Sequence, residues 1–235
     1  MLQVRLIMQK TFNYVPNLPT LSKLESIENE SGRKYKLPNG DLVPSITTVL
    51  SYFKKHRIIE WRNRVGEKEA NRISRQASSR GTKFHTLMEK YLENKPMKTI
   101  ITESTMPHMR QAFNAALPVV NRIDNIHFVE CALFSERIKL AGRTDVVAEF
   151  DNKLSIIDFK TSSKEKKEEW IQDYFVQATA YAIMYEELTN IHVPQIVIIM
   201  SSDGVPEPQL FVKNPEDYVD ILCQRVYDYH LAHRK

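Results

Sequence analysis

The sequence predicts a mixed α/β fold, with a central sheet of about four strands flanked by helices. From residue 126, three β-branched and aromatic segments follow one another between turn residues, which indicates a three-strand meander. Residues 167–188 then form a long helical segment, and residues 193–202 are a near-continuous apolar run typical of a strand covered on both faces. The chain before residue 126 is mainly helical, and a last helix covers residues 215–233.

The N-terminal part begins with a small β element. Asn39-Gly40 lies between short alternating flanks, which predicts a hairpin because type I′ turns need positive φ. Ser45 or Thr47 is predicted to cap a short helix, since either hydroxyl can accept a backbone N–H.

Helices are predicted to follow over most of residues 57–123. The pattern over residues 57–94 is divided at Gly66 and at the Ser-Ser-Arg-Gly stretch 78–81. After Gly81 an amphipathic helix places five apolar side chains on one side: Phe84, Leu87, Met88, Tyr91 and Leu92.

Composition limits the class of protein. At 235 residues and 42% hydrophobic, residues 1–235 are predicted to form one domain, mainly helical over 1–125 with an αβ core over 126–235. The net charge of +4 permits an anionic partner without requiring one. Cys131 and Cys223 lie among apolar neighbours without Cys-x-x-Cys spacing, which argues against a disulfide scaffold or a zinc knuckle.

The N-terminal segment and the apolar runs decide the expected location. Arg5, Gln9 and Lys10 interrupt the apolar residues at the start of the chain, and no small-residue cleavage site follows, so a signal peptide is not indicated. The sequence has no run of roughly 18 apolar residues, the length that a membrane span needs. We therefore expect a soluble, cytoplasmic protein with no membrane partner.

Three charged residues stand inside two strands that otherwise read as core: Asp145, Asp158 and Lys160. If Asp151-Asn152 forms a two-residue turn, counting back along both strands brings Asp145 opposite Asp158. Their Cβ atoms are then about 4.5 to 5.5 Å apart, and period-two alternation adds Lys160 to the same side. A longer turn would shift the register by one residue and put Asp145 on the other side.

Opposed acids in an apolar hairpin are costly unless a cation lies between them, and one lysine only partly neutralises the pair. A divalent metal fits this role, because Mg²⁺ is usually held by one or two carboxylates plus substrate phosphate. Such a site performs metal-assisted phosphodiester chemistry, with Lys160 orienting or helping to deprotonate the attacking water. The alternative is a solvated strand face, which is what a lone Asp-x-Lys usually means.

Gly142-x-x-Asp145, Asp158-x-Lys160 and Gln177-x-x-x-Tyr181 follow one another along the chain. This order resembles the RecB-like branch of the PD-(D/E)XK nuclease superfamily. Together with the upstream stretches GTKFH and PSITTVL, it is similar to the mitochondrial genome maintenance exonuclease group, from about Pro44 to the C-terminus. The resemblance implies a restriction-endonuclease-like core with an N-terminal helical insertion. Because no mitochondrial transit peptide is visible, we expect a viral or bacterial relative that acts in the cytoplasm, the host's if viral.

The resemblance also implies a ligand set. Asp145 and Asp158 would bind Mg²⁺ or Mn²⁺ together with the backbone carbonyl of Phe159, and Lys160 would be the catalytic lysine. Two positions depart from the superfamily pattern: Thr144 replaces the proline, and the second acid is Asp rather than Glu.

Further residues are implied around that set. His85 matches the family histidine near the metal, and Glu130 matches the acidic residue of the first strand, with Glu136 a nearby alternative. Gln177 and Tyr181, one turn apart on a helix, would steady the site and the DNA. Without the resemblance, His85 would be a partly buried structural histidine, and Gln177 and Tyr181 an ordinary helix contact.

Positive charge is concentrated between Lys54 and Lys83, where ten basic residues stand against three acidic ones. Arg64, Lys68, Arg72 and Arg75 recur at four, four and three residues, which predicts one helical stripe that follows phosphates. The remaining predicted DNA-binding residues are Arg80, Lys83, Thr161 and Ser162, and the aromatic residues suited to stacking bases of a single strand are Tyr52, Phe53 and Trp61. A solvated helix face is the competing interpretation.

The leading hypothesis is a Mg²⁺- or Mn²⁺-dependent exonuclease that prefers single-stranded DNA with free ends, acting as a monomer in replication, recombination or repair. Residues 57–123 would form a wall or arch that leads the strand to the metal. A structure-specific endonuclease of the same fold is one alternative. A non-catalytic DNA-binding subunit is the other, although such a module has no need of opposed acids.

Overall fold

A mixed sheet of five strands lies at the centre of the fold, and a three-strand antiparallel sheet precedes it, which confirms the predicted α/β class. The computed structural model describes residues 9–234; residues 1–8, part of the segment predicted not to be a signal peptide, lie outside this range. The strands are β1 (Glu25–Asn29), β2 (Gly32–Lys36), β3 (Leu42–Pro44), β4 (Ile123–Ser135), β5 (Leu140–Phe150), β6 (Lys153–Ser162), β7 (Gln195–Ser202) and β8 (Gln209–Lys213). The helices are α1 (Ile46–Val65), α2 (Glu67–Leu92), α3 (Met97–Ile100), α4 (Pro107–Val120), α5 (Gln172–Thr189) and α6 (Val219–Ala232). Within the described range, no helix is both long and apolar enough to cross a bilayer.

The antiparallel meander of β4, β5 and β6 has the predicted hairpin register. Both residues of the Asp151-Asn152 turn have positive φ, +52° and +62°. The ladder then runs from Phe150 paired with Lys153 to Val146 paired with Ile157, as a two-residue turn requires. The one-residue shift that a longer turn would produce does not occur.

The apolar run predicted as a covered strand is β7, and it lies parallel to β6. The connection between them contains α5, because parallel neighbours need a long crossover. One strand is additional to the prediction: β8 pairs antiparallel with β7 at the sheet edge and raises the strand number from about four to five. The residues of β8 are half-buried or exposed, and strands of this kind lack the continuous apolar run by which β7 was predicted.

Hydrophobic clusters cover both faces of the sheet. Ile156 belongs to the cluster formed with α1, α5 and α6, whereas Ile157 and Phe159 belong to the cluster formed with α2 and α4. Because successive side chains of a strand point to opposite faces, Asp158 and Lys160 continue the side of Ile156. The predicted acid and lysine of β6 therefore lie on the side of the sheet that α5 covers.

The N-terminal helices differ from the prediction in two places. Ser45 is the cap, its hydroxyl accepting the Thr48 N–H at 3.0 Å, but α1 extends 20 residues to Val65 rather than forming a short helix. Gly66, with φ +84°, ends α1 as predicted. Residues 78–81 do not interrupt α2, which is 26 residues long. The helix continues through this stretch to the apolar face after Gly81, whose five side chains are buried. Burial of such a face stabilises a helix more than local propensity does.

The predicted N-terminal hairpin forms, but its turn is not type I′. Lys36 pairs with Leu42, so five residues, 37–41, connect β2 to β3. Within this turn only Gly40 has positive φ, +92°. Its N–H donates to the Leu37 carbonyl at 2.9 Å, which closes a tighter turn inside the loop.

Candidate metal and nucleic-acid site

The strands β5 and β6 separate at the predicted acidic pair. In this register the Phe159 N–H would be the next donor to a β5 carbonyl after the last ladder pair. It donates instead to Asp145 Oδ2 at 2.7 Å. The Asp145 carboxylate is therefore inserted between the strands, and the neighbouring Asp158 is buried, 2% exposed.

Side chains from three elements converge at this point: His85 from α2, Glu130 from β4 and Asp145 from β5. Each offers one ligand atom, and these atoms lie within 4.8 Å of one another. His85 Nδ1 is 3.3 Å from Asp145 Oδ1. Carboxylate oxygens suit Mg²⁺ and Mn²⁺, and an imidazole is accepted more readily by transition metals, so this donor set fits a divalent ion. Asp158 lies outside the trio.

Glu130 has a strained backbone. Its φ is +51° although it lies inside β4 and is not glycine. No residue is inserted here, since Val129 pairs with Val146 and Cys131 with Thr144 on either side. Such conformations cost about 1 to 3 kcal/mol and concentrate at functional sites. The strain thus falls on the residue whose carboxylate completes the trio.

Burial and mutual charge set the ionisation of this region. Burial alone would raise the pKa of Asp145, but the hydrogen bond to His85 and the charges of His85 and Lys160 lower it overall. Burial raises the pKa of Asp158, and the charge of Asp145 adds to this while Lys160 opposes it. Burial also raises the pKa of Glu130 to about 7, helped by the charge of Asp145. One acid is therefore ionised beside two that resist ionisation, a state that a bound cation would relieve.

Lys160 is enclosed by one acid and one aromatic ring. Its ammonium contacts the Asp158 carboxylate directly, and its side chain is 17% exposed. The Tyr174 ring at the start of α5 has its centroid 5.0 Å from Nζ. Burial lowers the pKa of Lys160, but the Asp158 and Asp145 charges outweigh this effect and raise the pKa overall, so the amine is protonated.

Gln177 and Tyr181 meet on α5 as the spacing predicts. Gln177 Nε2 donates to the Tyr181 hydroxyl oxygen at 3.1 Å. Tyr181 is 2% exposed, and burial raises its pKa, so the phenol is neutral. It packs on Gly142 of β5: a Cβ there would lie 2.7 Å from Tyr181 Cε1 and 3.3 Å from Ile46 Cγ2. The glycine of the first motif therefore lets the tyrosine of the third motif approach the sheet.

The predicted basic stripe is divided between two helices. Arg64 lies in α1, and the Gly66 break removes it from the face of α2 that Lys68, Arg72 and Arg75 share. The expectation of one continuous stripe is therefore wrong for Arg64. Lys68 and Arg75 are exposed, whereas Arg72 already contacts Glu69 through Nε at 2.8 Å.

The aromatic residues of α1 are in part engaged elsewhere. Tyr52 is 41% exposed, but its ring packs edge-on against Phe53, Tyr229 and His233. Phe53 and Trp61 are only half-buried.

The last four predicted DNA-binding residues lie near the carboxyl end of β6. Arg80 and Lys83 lie further along α2, and together with Thr161 they line one cleft. Ser162 is 5% exposed, and its Oγ accepts the Lys164 N–H at 3.3 Å. Its hydroxyl is therefore part of the turn after β6.

Three neighbours of the site were not predicted. Glu89 lines a small pocket with His85, Glu130 and Asp145, and its charge helps raise the pKa of Glu130. It stands four residues after His85 on α2, so helical spacing could have shown it. Tyr174 is likewise three residues before Gln177. Asp203, which contacts Arg80, gives no such sequence signal because 123 residues separate them.

Comparisons with known proteins agree with these motifs. The family model for the PD-(D/E)XK nuclease superfamily matches residues 105–228, more than half of the chain. Human mitochondrial genome maintenance exonuclease 1 is 25% identical over 180 residues, covering 71% of this chain and 51% of the human protein. The protein of that name from Xenopus tropicalis is 27% identical over 218 residues, covering 81% of this chain and 59% of its own.

The chain thus spans about half the length of the curated relatives it matches. Among solved structures, the crystal structure of SSO0001 aligns with 45% of this chain and 50% of its own, with 17% identity and a TM-score of 0.35. That overlap carries no inference about function.

Proposed function

Because the chain belongs to the PD-(D/E)XK nuclease superfamily, we propose that it is a divalent-metal-dependent DNase, an exonuclease that acts on single-stranded DNA with free ends. The observation that carries the proposal is the convergence of His85, Glu130 and Asp145 within 4.8 Å of one another. The buried Lys160–Asp158 pair stands next to it. The relatives from human and Xenopus tropicalis are named exonucleases, which supports the choice of exonuclease over endonuclease.

A bound Mg²⁺ or Mn²⁺ would polarise a phosphoryl oxygen and lower the pKa of a water molecule. His85, Glu130 and Asp145 would hold the ion, with Asp158 and the Phe159 carbonyl completing the ligand set. Asp145 is suited to this role because it is already ionised and is fixed by the Phe159 N–H.

Lys160 would act on the substrate side of the site. If Asp158 helped to hold the ion, the Lys160 ammonium would lose its direct partner and would be free to orient the attacking water and to stabilise the extra charge of the transition state. Gln177 hydrogen-bonds Tyr181 within α5, and Tyr181 packs on Gly142, which holds α5, and with it Tyr174, against β5. The role of the Gln177–Tyr181 pair is to position Lys160 rather than to react.

The helices before residue 123 would guide the strand. Arg64, Lys68, Arg72, Arg75, Arg80 and Lys83 would contact phosphates along α1 and α2. Thr161 would contact the strand near the site, and Ser162 would support it by holding the turn after β6. We place the whole chain in one nuclease domain that acts as a monomer in the cytoplasm, in DNA replication, recombination or repair.

The test is digestion of end-labelled linear and closed circular single strands with Mg²⁺ or Mn²⁺. We expect linear DNA to be degraded from its ends and circular DNA to persist. Asp158→Asn should abolish digestion. Asp151→Asn, at the other end of the same hairpin, removes an exposed ion pair with Arg122 and should digest as the parent does. Equal digestion of circles would refute the exonuclease assignment, and full activity of Asp158→Asn would refute the site.

A further inference from the structure

A second cleft lies on the α2 and α4 side of the same sheet end. It encloses about 1000 Å³ between α2, α4 and the turn from β7 to β8. Its lining combines three cations, two apolar side chains and the hydroxyl of the residue that follows Lys160 in β6: Arg75, Arg80, Lys83, Met109, Ala112 and Thr161. Cations above an apolar surface suit a nucleotide strand, whose phosphates and bases need the two kinds of contact.

Arg80 contacts the opposite wall of this cleft from α2. Its Nη1 is 2.5 Å from Asp203 Oδ2 in the turn after β7, and its side chain is 17% exposed. Its buried Nε has no acceptor within residues 9–234. A buried N–H without an acceptor is unfavourable, and a phosphate offers two oxygens to a guanidinium at once. Asp203 thus accepts a hydrogen bond from Nη1 and leaves the N–H of Nε without an acceptor.

Asp203 is held at this position by its backbone. Its N–H donates to the Ser162 carbonyl at 3.0 Å, which fixes the turn to the end of β6 two residues beyond Lys160. Its side chain is 53% exposed, so the ion pair with Arg80 is screened by water and easily exchanged.

We propose that this cleft binds the segment of the DNA strand next to the cleaved phosphate, with Arg80 as its phosphate anchor and Asp203 as an internal competitor. In the free protein the Asp203 carboxylate occupies the anchor, and a phosphate of the strand replaces it on binding. This inference rests on the proposed nuclease function, because it assumes a DNA strand. It adds a subsite and a mechanism that weakens binding of the strand between catalytic steps.

The test measures binding without catalysis. Fluorescence anisotropy with a labelled oligothymidylate in EDTA gives Kd for the parent, Asp203→Asn, Arg80→Ala and the double variant. We expect Asp203→Asn to bind about fivefold more tightly, the equivalent of one exposed ion pair. Arg80→Ala should bind more weakly, and adding Asp203→Asn to it should change nothing, because the competitor then has no anchor to occupy.

Two further variants separate the specific contact between Arg80 and Asp203 from general effects of charge. Glu207→Gln removes another exposed acid from the same turn and should leave Kd unchanged. Arg80→Lys keeps the charge without the planar fork and should bind with intermediate affinity. An equal gain for Glu207→Gln, or a gain for Asp203→Asn that persists without Arg80, would show general charge repulsion and overturn the proposal.

The outcome is separable from that of the digestion test. A protein that cleaves DNA while its Kd ignores Asp203 refutes the cleft and leaves the nuclease assignment intact. A protein that binds as expected and digests nothing refutes the nuclease assignment alone.

Discussion

Charged side chains interact strongly with one another at the end of the β5–β6 hairpin and only weakly on the α1–α2 surface. At the hairpin, Asp158 is buried and Asp145 and Lys160 are half-buried. The charge of Lys160 acts to lower the pKa of both acids, and their charges act to raise the pKa of Lys160. On α2, Lys68 and Arg75 extend into solvent. Buried charges interact strongly because water does not screen them, whereas exposed charges act weakly and almost independently. Single substitutions should therefore have large, coupled effects in the first region and small, additive effects in the second.

The largest effect is expected from breaking the buried pair. Lys160→Ala leaves the Asp158 carboxylate uncompensated and should lower the free energy of unfolding by about 3 to 5 kcal/mol. Asp158→Asn/Lys160→Ala removes both charges and should recover most of this loss in urea unfolding. Both variants should digest DNA more slowly than the parent, by a factor on the order of 10² to 10⁴. Additive stability effects of the two substitutions would contradict the coupling.

The contact between Gly142 and Tyr181 gives the next largest effect. Gly142→Ala places a Cβ 2.7 Å from Tyr181 Cε1, and this overpacking should destabilise the protein by about 1 to 3 kcal/mol. Gly81→Ala is the matched control. Gly81 lies inside α2, and a Cβ there would meet only Thr161 Oγ1, at 3.7 Å. It should stabilise the protein by about 0.5 to 1 kcal/mol. Thermal unfolding measures both, and equal shifts would contradict the close approach.

Glu130 should make metal-free stability depend on pH. Burial raises the folded pKa of Glu130 to about 7, above the ordinary value for a glutamate, so the folded state binds the proton more tightly than the unfolded state does. The contribution of Glu130 to the free energy of unfolding is fully present below the pKa of the unfolded state and is lost as the pH rises to about 7. In EDTA, Glu130→Gln should therefore gain stability relative to the parent between pH 5 and 8, seen as a Tm difference that grows with pH. A constant difference would contradict the raised pKa.

The smallest effects are expected on the exposed face of α2. Lys68→Ala should weaken binding of single-stranded DNA slightly and lower the slope of log Kd against log salt by about 0.7, one phosphate contact. Arg72→Ala should change less, because Glu69 already holds Arg72 at 2.8 Å. Anisotropy titrations over a range of salt concentrations measure both. If either substitution weakened DNA binding as much as substitution of a buried residue does, the proposed difference between the two regions would be wrong.

Several elements follow from residues close together in the sequence. The Asp151-Asn152 turn and the alternation of the flanking strands predict the β5–β6 register, since both are local properties. The apolar positions of the second half of α2 are likewise predicted, and all five are buried. Local propensity failed at residues 78–81, where α2 continues without a break to its buried apolar face.

The sequence by itself determined the β-strand register, the amphipathic faces and the order of the three motifs, because each depends on residues within a few positions of one another. Tertiary structure alone decided that His85, Glu130 and Asp145 meet, that Lys160 contacts Asp158 rather than the trio, and that Arg80 faces Asp203. Such convergence depends on how whole helices pack on the sheet, and that packing is a sum over many distant contacts that no short stretch of sequence contains.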